Sequence, residues 1–221
     1  MKIFVTFPVS PAHPVLHKQV VMTSWKLMQD KRHELKMIIP AHNPFENNLH
    51  HCVNDFKDND CDFWLSIDSD NPPMNNPLDL VELNRDIIGL PTPVLYIDKK
   101  TQGKNERPYY FNAYKKVKDG YNEWPDKEGL QKVDAIGTGC FLISKRVFLH
   151  PEMRKGAFTR KLNQDGTVNT GNDMAFCERA TEIGFEIYSH FDYPCRHYNN
   201  VDLIEISEAW ESGKAYLSME A

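Results

Sequence analysis

The sequence predicts an α/β fold in which a mainly parallel central sheet carries helices on both faces. Short apolar segments of strand length alternate with longer segments of helical periodicity over the first hundred residues. The chain has 221 residues, of which 41% are apolar, and this is enough for one sizeable core. Because consecutive strands joined by helices pair in parallel through right-handed crossovers, the alternating order indicates a mainly parallel sheet.

Strand and helix signals alternate in the first half of the chain. Each strand segment is short and apolar, whereas each helical segment repeats its apolar residues every three or four positions. Asn43 and Pro44 are typical of a helix start, with Asn43 as the cap and Pro44 at the first position. The predicted strands cover 3–7, 35–39, 63–67 and 86–89, and the predicted helices cover 14–30, 43–56 and 77–83.

The second half gives weaker signals and is predicted to be less regular. Residues 99–131 are rich in Lys, Asn, Gly and Tyr without a clean period, so we predict a long functional loop there. A shorter loop is predicted over 160–172. The remaining predicted elements are strands over 94–97, 133–143 and 185–189, a helix over 173–184 and a helical C-terminal tail.

The composition is typical of a soluble protein in a reducing compartment. The five cysteines are scattered and lack a C-x-x-C pair, which argues against a disulfide framework or a structural zinc site. No apolar run reaches the roughly 18 residues of a membrane span, and the first strand segment is too short for a signal peptide. We therefore expect a cytoplasmic protein without a membrane span, located in the host cytoplasm if the source is viral.

Two carboxylates stand directly after the strand predicted over 63–67. Asp68 and Asp70 point to the same side if the extended backbone continues, and Pro72 and Pro73 end the strand there. Open α/β sheets bind ligands at such strand ends, and paired carboxylates suit Mg²⁺ or Mn²⁺ carrying a diphosphate. The alternative is an Asx-type turn, because Asp, Ser and Asn are also common turn residues.

Three further features, like this carboxylate pair, each have a structural and a functional interpretation. Gly137 and Gly139 interrupt the strand predicted over 133–143, either as a β-bulge or to let a ligand approach closely. Asp173 stands at a predicted helix start, either as an acid favoured by the helix dipole or as a general base. His197 follows the last predicted strand, either as a structural histidine or as a ligand that completes a Mn²⁺ shell.

The order of these features resembles the GT-A-type glycosyltransferases, in particular small enzymes similar to glycosyltransferase family 2. The apolar strand with its D-x-D sequence matches residues 63–70, and the later G-x-G/C-x-L-I strand matches 137–143. The family's helix pattern D-x-x-F/L-C-x-R-A-x-x-x-G-F/Y-x-I matches 173–187. The resemblance covers about residues 1–200. It departs from the family at Asn172, where an acidic residue usually precedes the base.

The resemblance implies a GT-A (Rossmann-like) fold and a metal-dependent transfer of a sugar from a nucleotide sugar, most often a UDP-sugar. It implies that Asp70 binds Mn²⁺ or Mg²⁺ directly, and that Asp68 reaches the donor ribose or a metal-bound water. His197 would be a further protein ligand of the metal. Asp173 would be the catalytic base if the displacement is inverting. The additional donor-binding residues are Pro8, Ser10, Gly137 and Gly139.

One domain is predicted over residues 1–221, and its acceptor region carries basic and aromatic residues. The nucleotide-sugar-binding half covers 1–98, the acceptor and catalytic half covers 99–200, and the helical tail covers 201–221. Residues 99–118 hold seven basic residues and one acid, interleaved with aromatic residues. This composition suits a hydroxymethylated base in phage DNA, and a polysaccharide or lipid-linked glycan is the comparable alternative acceptor. The candidate acceptor-binding residues are Arg107, Tyr109, Tyr110 and Asn172.

Two other functions stay open at this point. A nucleotidyltransferase of the sugar-phosphate pyrophosphorylase type has a related sheet and also binds a metal and a nucleoside triphosphate. It needs a glycine-rich phosphate loop after the first strand, and residues 7–11 contain no glycine. A non-catalytic nucleotide-sugar-binding module is the other alternative. The joint presence of Asp68, Asp70, Asp173 and His197 argues against it.

Overall fold

The central feature of the fold is a seven-stranded mixed sheet. The computed structural model describes residues 1–95, 109–198 and Ile204. Arg107, the first half of the basic segment 99–118 and most of the predicted tail 201–221 lie outside the described residues. None of the described helices is long and apolar enough to cross a membrane.

The first half of the chain contains the elements that the sequence predicts, with small shifts at their ends. The strand over 63–67 and the helical segment over 77–83 have the predicted bounds, and the latter is a 3₁₀ helix. The elements are β1 Lys2–Thr6, α1 Lys18–Gln29, β2 Glu34–Ile38, α2 Phe45–Asp58, β3 Phe63–Ile67, the 3₁₀ helix Pro77–Leu83, β4 Ile87–Gly89 and β5 Pro93–Leu95.

The predicted starts of the first two helices are wrong by a few residues. Helix α1 begins at Lys18 because the His17 Nδ1 atom accepts a hydrogen bond from the Gln19 amide and caps the helix there. Helix α2 begins at Phe45 with Pro44, not Asn43, in the cap position. In both cases the turn before the helix extends further along the chain than the sequence pattern indicates.

The second half of the described chain is more regular than the sequence predicts. The loop predicted over 99–131 is wrong for its described part, which forms β-strands, and the loop predicted over 160–172 contains a short hairpin. The elements are β6 Tyr109–Phe111, β7 Ala113–Val117, β8 Gly120–Glu123, β9 Leu130–Val133, β10 Ala135–Ile136, β11 Cys140–Ser144, α3 Lys145–Leu149, the 3₁₀ helix Pro151–Met153, β12 Lys161–Leu162, β13 Val168–Thr170, α4 Asn172–Glu182 and β14 Ile187–His190.

The strand order of the central sheet is β2-β1-β3-β11-β4-β14-β9. Strands β2, β1, β3, β4 and β14 run in one direction, and β11 and β9 run against them. The mainly parallel sheet is therefore confirmed. Because β11 pairs antiparallel with β3, with Cys140 opposite Ile67, the chain entering β11 lies beside the carboxyl end of β3.

Helices cover both faces of this sheet, as predicted. Alternate residues of each strand point to opposite faces, so Phe4 and Trp64 belong to one core cluster while Ile3 and Leu65 belong to the other. The first cluster includes buried side chains of α2, α3 and α4. The second includes side chains of α1 and of the 3₁₀ helix Pro77–Leu83.

Outside the central sheet, Glu178 of α4 connects two of the smaller sheets. Its carboxylate accepts hydrogen bonds from Lys116 of β7 at 2.8 Å, from Tyr121 of β8 at 3.0 Å and from Lys161 of β12 at 2.8 Å. Burial alone would raise the pKa of Glu178, but these three bonds outweigh it and lower the pKa to about 2.

Replacing Glu178 with glutamine is expected to lower the free energy of unfolding by about 1–2 kcal/mol at pH 7. Because the pKa of Glu178 is depressed in the folded state, its contribution is complete above the ordinary value of 4.5 and is lost as the pH falls toward 2. Urea unfolding at pH 7 and pH 3 measures this, with Glu182→Gln on the exposed side of α4 as the control. A deficit as large at pH 3 as at pH 7 would contradict the ion-pair explanation.

Candidate functional site

Asp68 and Asp70 lie in a turn at the carboxyl end of β3. The Asp68 amide donates to the Gly139 carbonyl at 2.9 Å, and the Asn71 amide donates back to the Asp68 carbonyl at 3.1 Å. The first bond holds the turn against the chain entering β11, and the second closes the turn itself. The turn geometry and the strand-end position are thus both present, and they are compatible with each other.

The chain after β14 returns to this turn and brings His197 to Asp70. The Arg196 amide donates to the Pro72 carbonyl at 3.0 Å, and the Tyr198 amide donates to the Asp70 carbonyl at 2.9 Å. Between these two contacts, the Nε2 atom of His197 lies 3.5 Å from Oδ2 of Asp70. Backbone pairing therefore places the imidazole at the strand end.

The other ring nitrogen of His197 determines the tautomer. Nδ1 lies 2.8 Å from the carbonyl oxygen of Pro93, which can only accept, so Nδ1 carries a hydrogen. In the neutral ring the Nε2 lone pair then points toward Asp70, the arrangement common in metal-binding histidines. The hydrogen bond with Asp70 raises the pKa of His197, because the carboxylate stabilises the imidazolium.

Asp68 carries an unsatisfied acceptor. Its Oδ1 atom is buried and has no hydrogen-bond partner among the described residues. Burial, and then the nearby charge of Asp70, raise the pKa of Asp68 well above its ordinary value. A buried carboxylate oxygen without a donor is costly in the folded protein, so a cation or a hydrogen-bond donor from a ligand would stabilise it.

The donors at this strand end suit a divalent cation but do not enclose one. Within residues 1–95 and 109–198, no group of three or more His, Cys, Asp or Glu side chains is arranged to hold a metal ion. The pair formed by Asp70 and His197, with the free oxygen of Asp68 beside it, offers carboxylate oxygens and one imidazole nitrogen. Such a partial set fits a metal whose remaining ligands are water and phosphate oxygens.

A cavity of about 290 Å³ opens beside the carboxylate turn. The predicted donor-binding residues Pro8 and Ser10 follow β1 and lie in this cavity with Asp68 and Asp70. Its other lining residues are Val9, His42, Asn43, Phe45 and Ser69.

Sequence reasoning missed the contribution of His42, Asn43 and Phe45 to this cavity. They follow β2, which pairs in parallel with β1, so the carboxyl ends of both strands meet at one edge of the sheet. That shared edge is the signal that predicts them. The ring of His42 is also stacked on His51 of α2 at a centroid distance of 3.8 Å.

Gly137 and Gly139 lie where the chain passes from β10 of a three-stranded sheet into β11 of the central sheet. The single strand predicted over 133–143 is therefore wrong, and the described pairing leaves both glycines between two strands of different sheets. A side chain at Gly137 would collide with Asn112. The carbonyl of Gly139 accepts from Asp68, which places this glycine at the carboxylate turn.

Replacing Gly139 with alanine is expected to destabilise the protein by about 1–3 kcal/mol. The added Cβ would lie 2.7 Å from Oδ1 of Asn71 and 2.8 Å from Oγ1 of Thr92, so the carboxylate turn must shift. Thermal unfolding measures the loss. Gly171→Ala is the control, since its Cβ meets only Oδ1 of Asp173, at 3.1 Å. Equal stability of the two variants would contradict the close packing at Gly139.

Asp173 is the second residue of α4. Its Oδ1 atom accepts a hydrogen bond from the Met174 amide at 2.8 Å, while Gly171 occupies the cap position. Burial raises the pKa of Asp173. Burial, then Tyr110 and then Asp173, also raise the pKa of Tyr114, so these three side chains are close together. No contact within the described residues joins Asp173 directly to the Asp68–Asp70 turn.

Of the remaining candidate acceptor residues, Tyr110 lies near Tyr114 and Asn172 is next to Asp173 in the chain. Tyr109 and Tyr110 belong to β6, and the ring of Tyr110 lies 6.2 Å from that of Tyr114. Asn172 precedes Asp173, and its Nδ2 atom is buried without a partner among the described residues. Arg107 lies outside those residues.

No protein-family model matches the sequence, and no curated protein matches it. Solved structures match the fold over nearly the whole chain. The crystal structure of A197 from STIV has a TM-score of 0.58 at 15% identity, covering 92% of this chain and 87% of that one. At this level of identity the likeness establishes the fold alone.

One solved enzyme structure that contains a nucleotide sugar has a related fold. UDP-glucose pyrophosphorylase complexed with UDP-glucose has a TM-score of 0.50 at 10% identity, covering 96% of this chain and 100% of that one. CMP:2-keto-3-deoxy-manno-octonic acid synthetase complexed with CTP has a TM-score of 0.40 at 10% identity, covering 86% and 89%. The α/β fold is thus shared with an enzyme that binds a nucleotide sugar. UDP-glucose pyrophosphorylase is a nucleotidyltransferase rather than a member of glycosyltransferase family 2.

Proposed function

We propose that this protein is a metal-assisted glycosyltransferase that moves a sugar from a nucleotide sugar, preferably a UDP-sugar, to a hydroxyl group. The single observation that carries the proposal is the placement of His197 against Asp70, since Asp70 lines the cavity together with Asp68 and its unsatisfied oxygen. This arrangement suits a diphosphate held through a divalent cation.

In this proposal, different residues around the cavity bind different parts of the nucleotide-sugar donor. The loops after β1 and β2 would hold the nucleoside, with Pro8 and Ser10 on one wall and His42 on the other. Asp70 and His197 would hold Mn²⁺ or Mg²⁺, and Asp68 would accept from the ribose or from a metal-bound water. When bound, the metal supplies positive charge that stabilises the nucleoside diphosphate leaving group.

Asp173 is the proposed general base. As the acceptor oxygen forms its bond to the anomeric carbon, the bond from that carbon to the diphosphate oxygen breaks, and Asp173 takes the acceptor proton. Burial raises the pKa of this carboxyl, which makes it a better proton acceptor than an exposed aspartate. The buried amide of Asn172 and the hydroxyls of Tyr109 and Tyr110 would orient the acceptor.

A nucleotidyltransferase is the second candidate, and the solved structures favour it over glycosyl transfer. The related fold of UDP-glucose pyrophosphorylase is the specific observation. Such an enzyme would join a nucleoside triphosphate to a sugar phosphate and release pyrophosphate. The loop after β1 argues against it, since residues 7–11 contain neither glycine nor a basic side chain to hold a triphosphate.

One assay with two substrate sets separates these candidates. The protein is incubated with Mn²⁺ and one of two substrate sets. The first set is UDP-sugars with hydroxymethylated DNA or a glycan as acceptor, and the second is nucleoside triphosphates with sugar 1-phosphates. Release of UDP from a UDP-sugar supports glycosyl transfer, whereas release of pyrophosphate supports nucleotidyl transfer. Binding without release of either product supports a non-catalytic module.

The two proposed acceptor classes differ in their response to salt. If the acceptor is a hydroxymethylated base in DNA, raising the salt from 50 to 200 mM is expected to raise KM for the acceptor at least about tenfold. A neutral glycan acceptor should show less than about a twofold change. Turnover of the UDP-sugar with each acceptor at both salt concentrations is the measurement.

A further inference from the structure

Asn48 is a fully buried polar residue on an otherwise apolar helix face. Its exposed fraction is 0%, and it belongs to α2. A buried amide group is costly unless its hydrogen bonds are satisfied. The Nδ2 atom of Asn48 has two partners, whereas its Oδ1 atom has none among the described residues, so the partners of Nδ2 indicate why the residue is placed there. The other buried residues of this helix are Leu49, Cys52, Val53 and Phe56.

The Asn48 amide bridges two separate segments of the chain. Nδ2 donates to the carbonyl of Val9 at 3.1 Å and to the carbonyl of Pro40 at 3.2 Å. The same two segments meet directly as well, because the Val9 amide donates to the Pro40 carbonyl at 3.0 Å and Val9 pairs with Ala41 in an isolated bridge. The side chain thus reinforces a junction made by very few backbone bonds.

The two bridged segments lead into two parts of the lining of the cavity beside the carboxylate turn. Val9 lies between Pro8 and Ser10, and all three line the cavity from the loop after β1. Pro40 lies shortly before His42, which lines it from the loop after β2. The spacing of the loops after β1 and β2 therefore depends on the buried amide of Asn48, which does not itself line the cavity.

We propose that Asn48 is a positioning residue for the nucleotide site, which fixes the spacing of the β1 and β2 loops without touching the ligand. The identity of the ligand rests on the proposed function, whereas the bridge between the loops does not. Two donor hydrogens are required at this place, since both partners are carbonyl oxygens that can only accept. Asparagine supplies them at the length that the gap requires.

The test removes the two amide donors with one substitution of similar size and one of smaller size. Asn48→Leu removes both donors, and Asn48→Ser keeps a hydroxyl too short to reach both carbonyls. Val53→Ala is the matched control, because it weakens the same buried face of α2 and its side chain cannot hydrogen-bond to either loop. The affinity for UDP with Mn²⁺ is measured by calorimetry, and thermal unfolding of the same samples records their stability.

Both Asn48 variants are expected to bind UDP at least about tenfold more weakly than wild type, while Val53→Ala keeps its affinity despite lower stability. In turnover assays the effect should fall on KM for the donor more than on kcat. Affinity within about twofold of wild type in Asn48→Ser or Asn48→Leu would overturn the proposal. So would an equal loss in Val53→Ala.

A second readout separates this inference from the proposed function. Hydrogen exchange of the ligand-free protein is expected to be faster in residues 8–12 and 39–44 of the Asn48 variants, and unchanged there in Val53→Ala. Unchanged exchange in both segments would overturn the bridge. If wild type binds no nucleotide, the proposed function fails, and the exchange result still decides whether Asn48 positions the loops.

Discussion

Asp70→Asn is expected to weaken the binding of UDP in the presence of Mn²⁺ by at least about 100-fold and to reduce turnover at least as much. Asparagine keeps the shape of the side chain but removes the charge that faces His197 at 3.5 Å. The metal would then lose its anionic protein ligand, and the diphosphate would lose the cation that holds it. Calorimetric titration of UDP with Mn²⁺ and with EDTA measures both effects.

Two comparisons make this result specific. Asp55→Asn changes an exposed carboxylate of α2 that lies outside the cavity, and it should bind UDP as wild type does. In EDTA, wild type and Asp70→Asn should bind equally weakly, because the proposed role of Asp70 is exerted through the cation. If UDP binding by Asp70→Asn still depends on Mn²⁺ as it does in wild type, Asp70 is not a metal ligand.

Asp173→Asn is expected to lower kcat about 10²–10⁴-fold while leaving UDP affinity within about twofold of wild type. The amide oxygen can still accept from the Met174 amide, so α4 should keep its first turn. What is lost is the carboxylate that accepts the proton. Steady-state turnover and UDP binding are measured together, with the exposed Asp126→Asn as the control.

The pH dependence and the stability of this variant follow from the burial of Asp173. Burial raises the pKa of Asp173 above its ordinary value of 3.8, so wild-type kcat/KM should rise with pH through that raised pKa as the base loses its proton. Above it, the folded state carries a carboxylate that burial disfavours. Asp173→Asn should therefore be at least as stable as wild type at pH 7. A marked loss of stability would point to a structural role instead.

The local parts of the fold were predictable because they depend on nearby residues. The apolar run over 63–67 and the prolines after Asp70 define the strand and its end without reference to other strands. Helix α4 was predictable for the same reason, since Gly171 and the apolar spacing of Phe176 and Ala180 lie within one segment. The class of fold then follows from the order of such segments.

The unpredicted parts depend on pairing between distant or exposed segments. Strands β7 and β8 carry Lys115, Lys116 and Asn122 on exposed positions, so their sequences lack the apolar alternation of a buried strand. Strand β11 lies antiparallel between β3 and β4. The sequence of β11 alone does not indicate which strands it pairs with.

In the candidate site, too, the features that depend on nearby residues were predictable, and those that depend on distant segments were not. Asp68 and Asp70 were predictable as a pair at a strand end, because both follow one apolar run. The proximity of His197 depends on backbone bonds from Arg196 and Tyr198 to the carboxylate turn, and these were not predictable from spacing. The wall formed by His42 required knowing that β1 and β2 are neighbours.

The contact between His197 and Pro93 joins positions 104 residues apart, and it has a consequence for the order of events during synthesis. On a ribosome, the carboxylate turn emerges long before the histidine that faces it. All the strands up to β14 must be synthesised before the imidazole can arrive, because its segment follows β14 in the chain and pairs beside the turn. A nascent chain that lacks the segment after β14 would therefore be unable to hold a cation between Asp70 and His197.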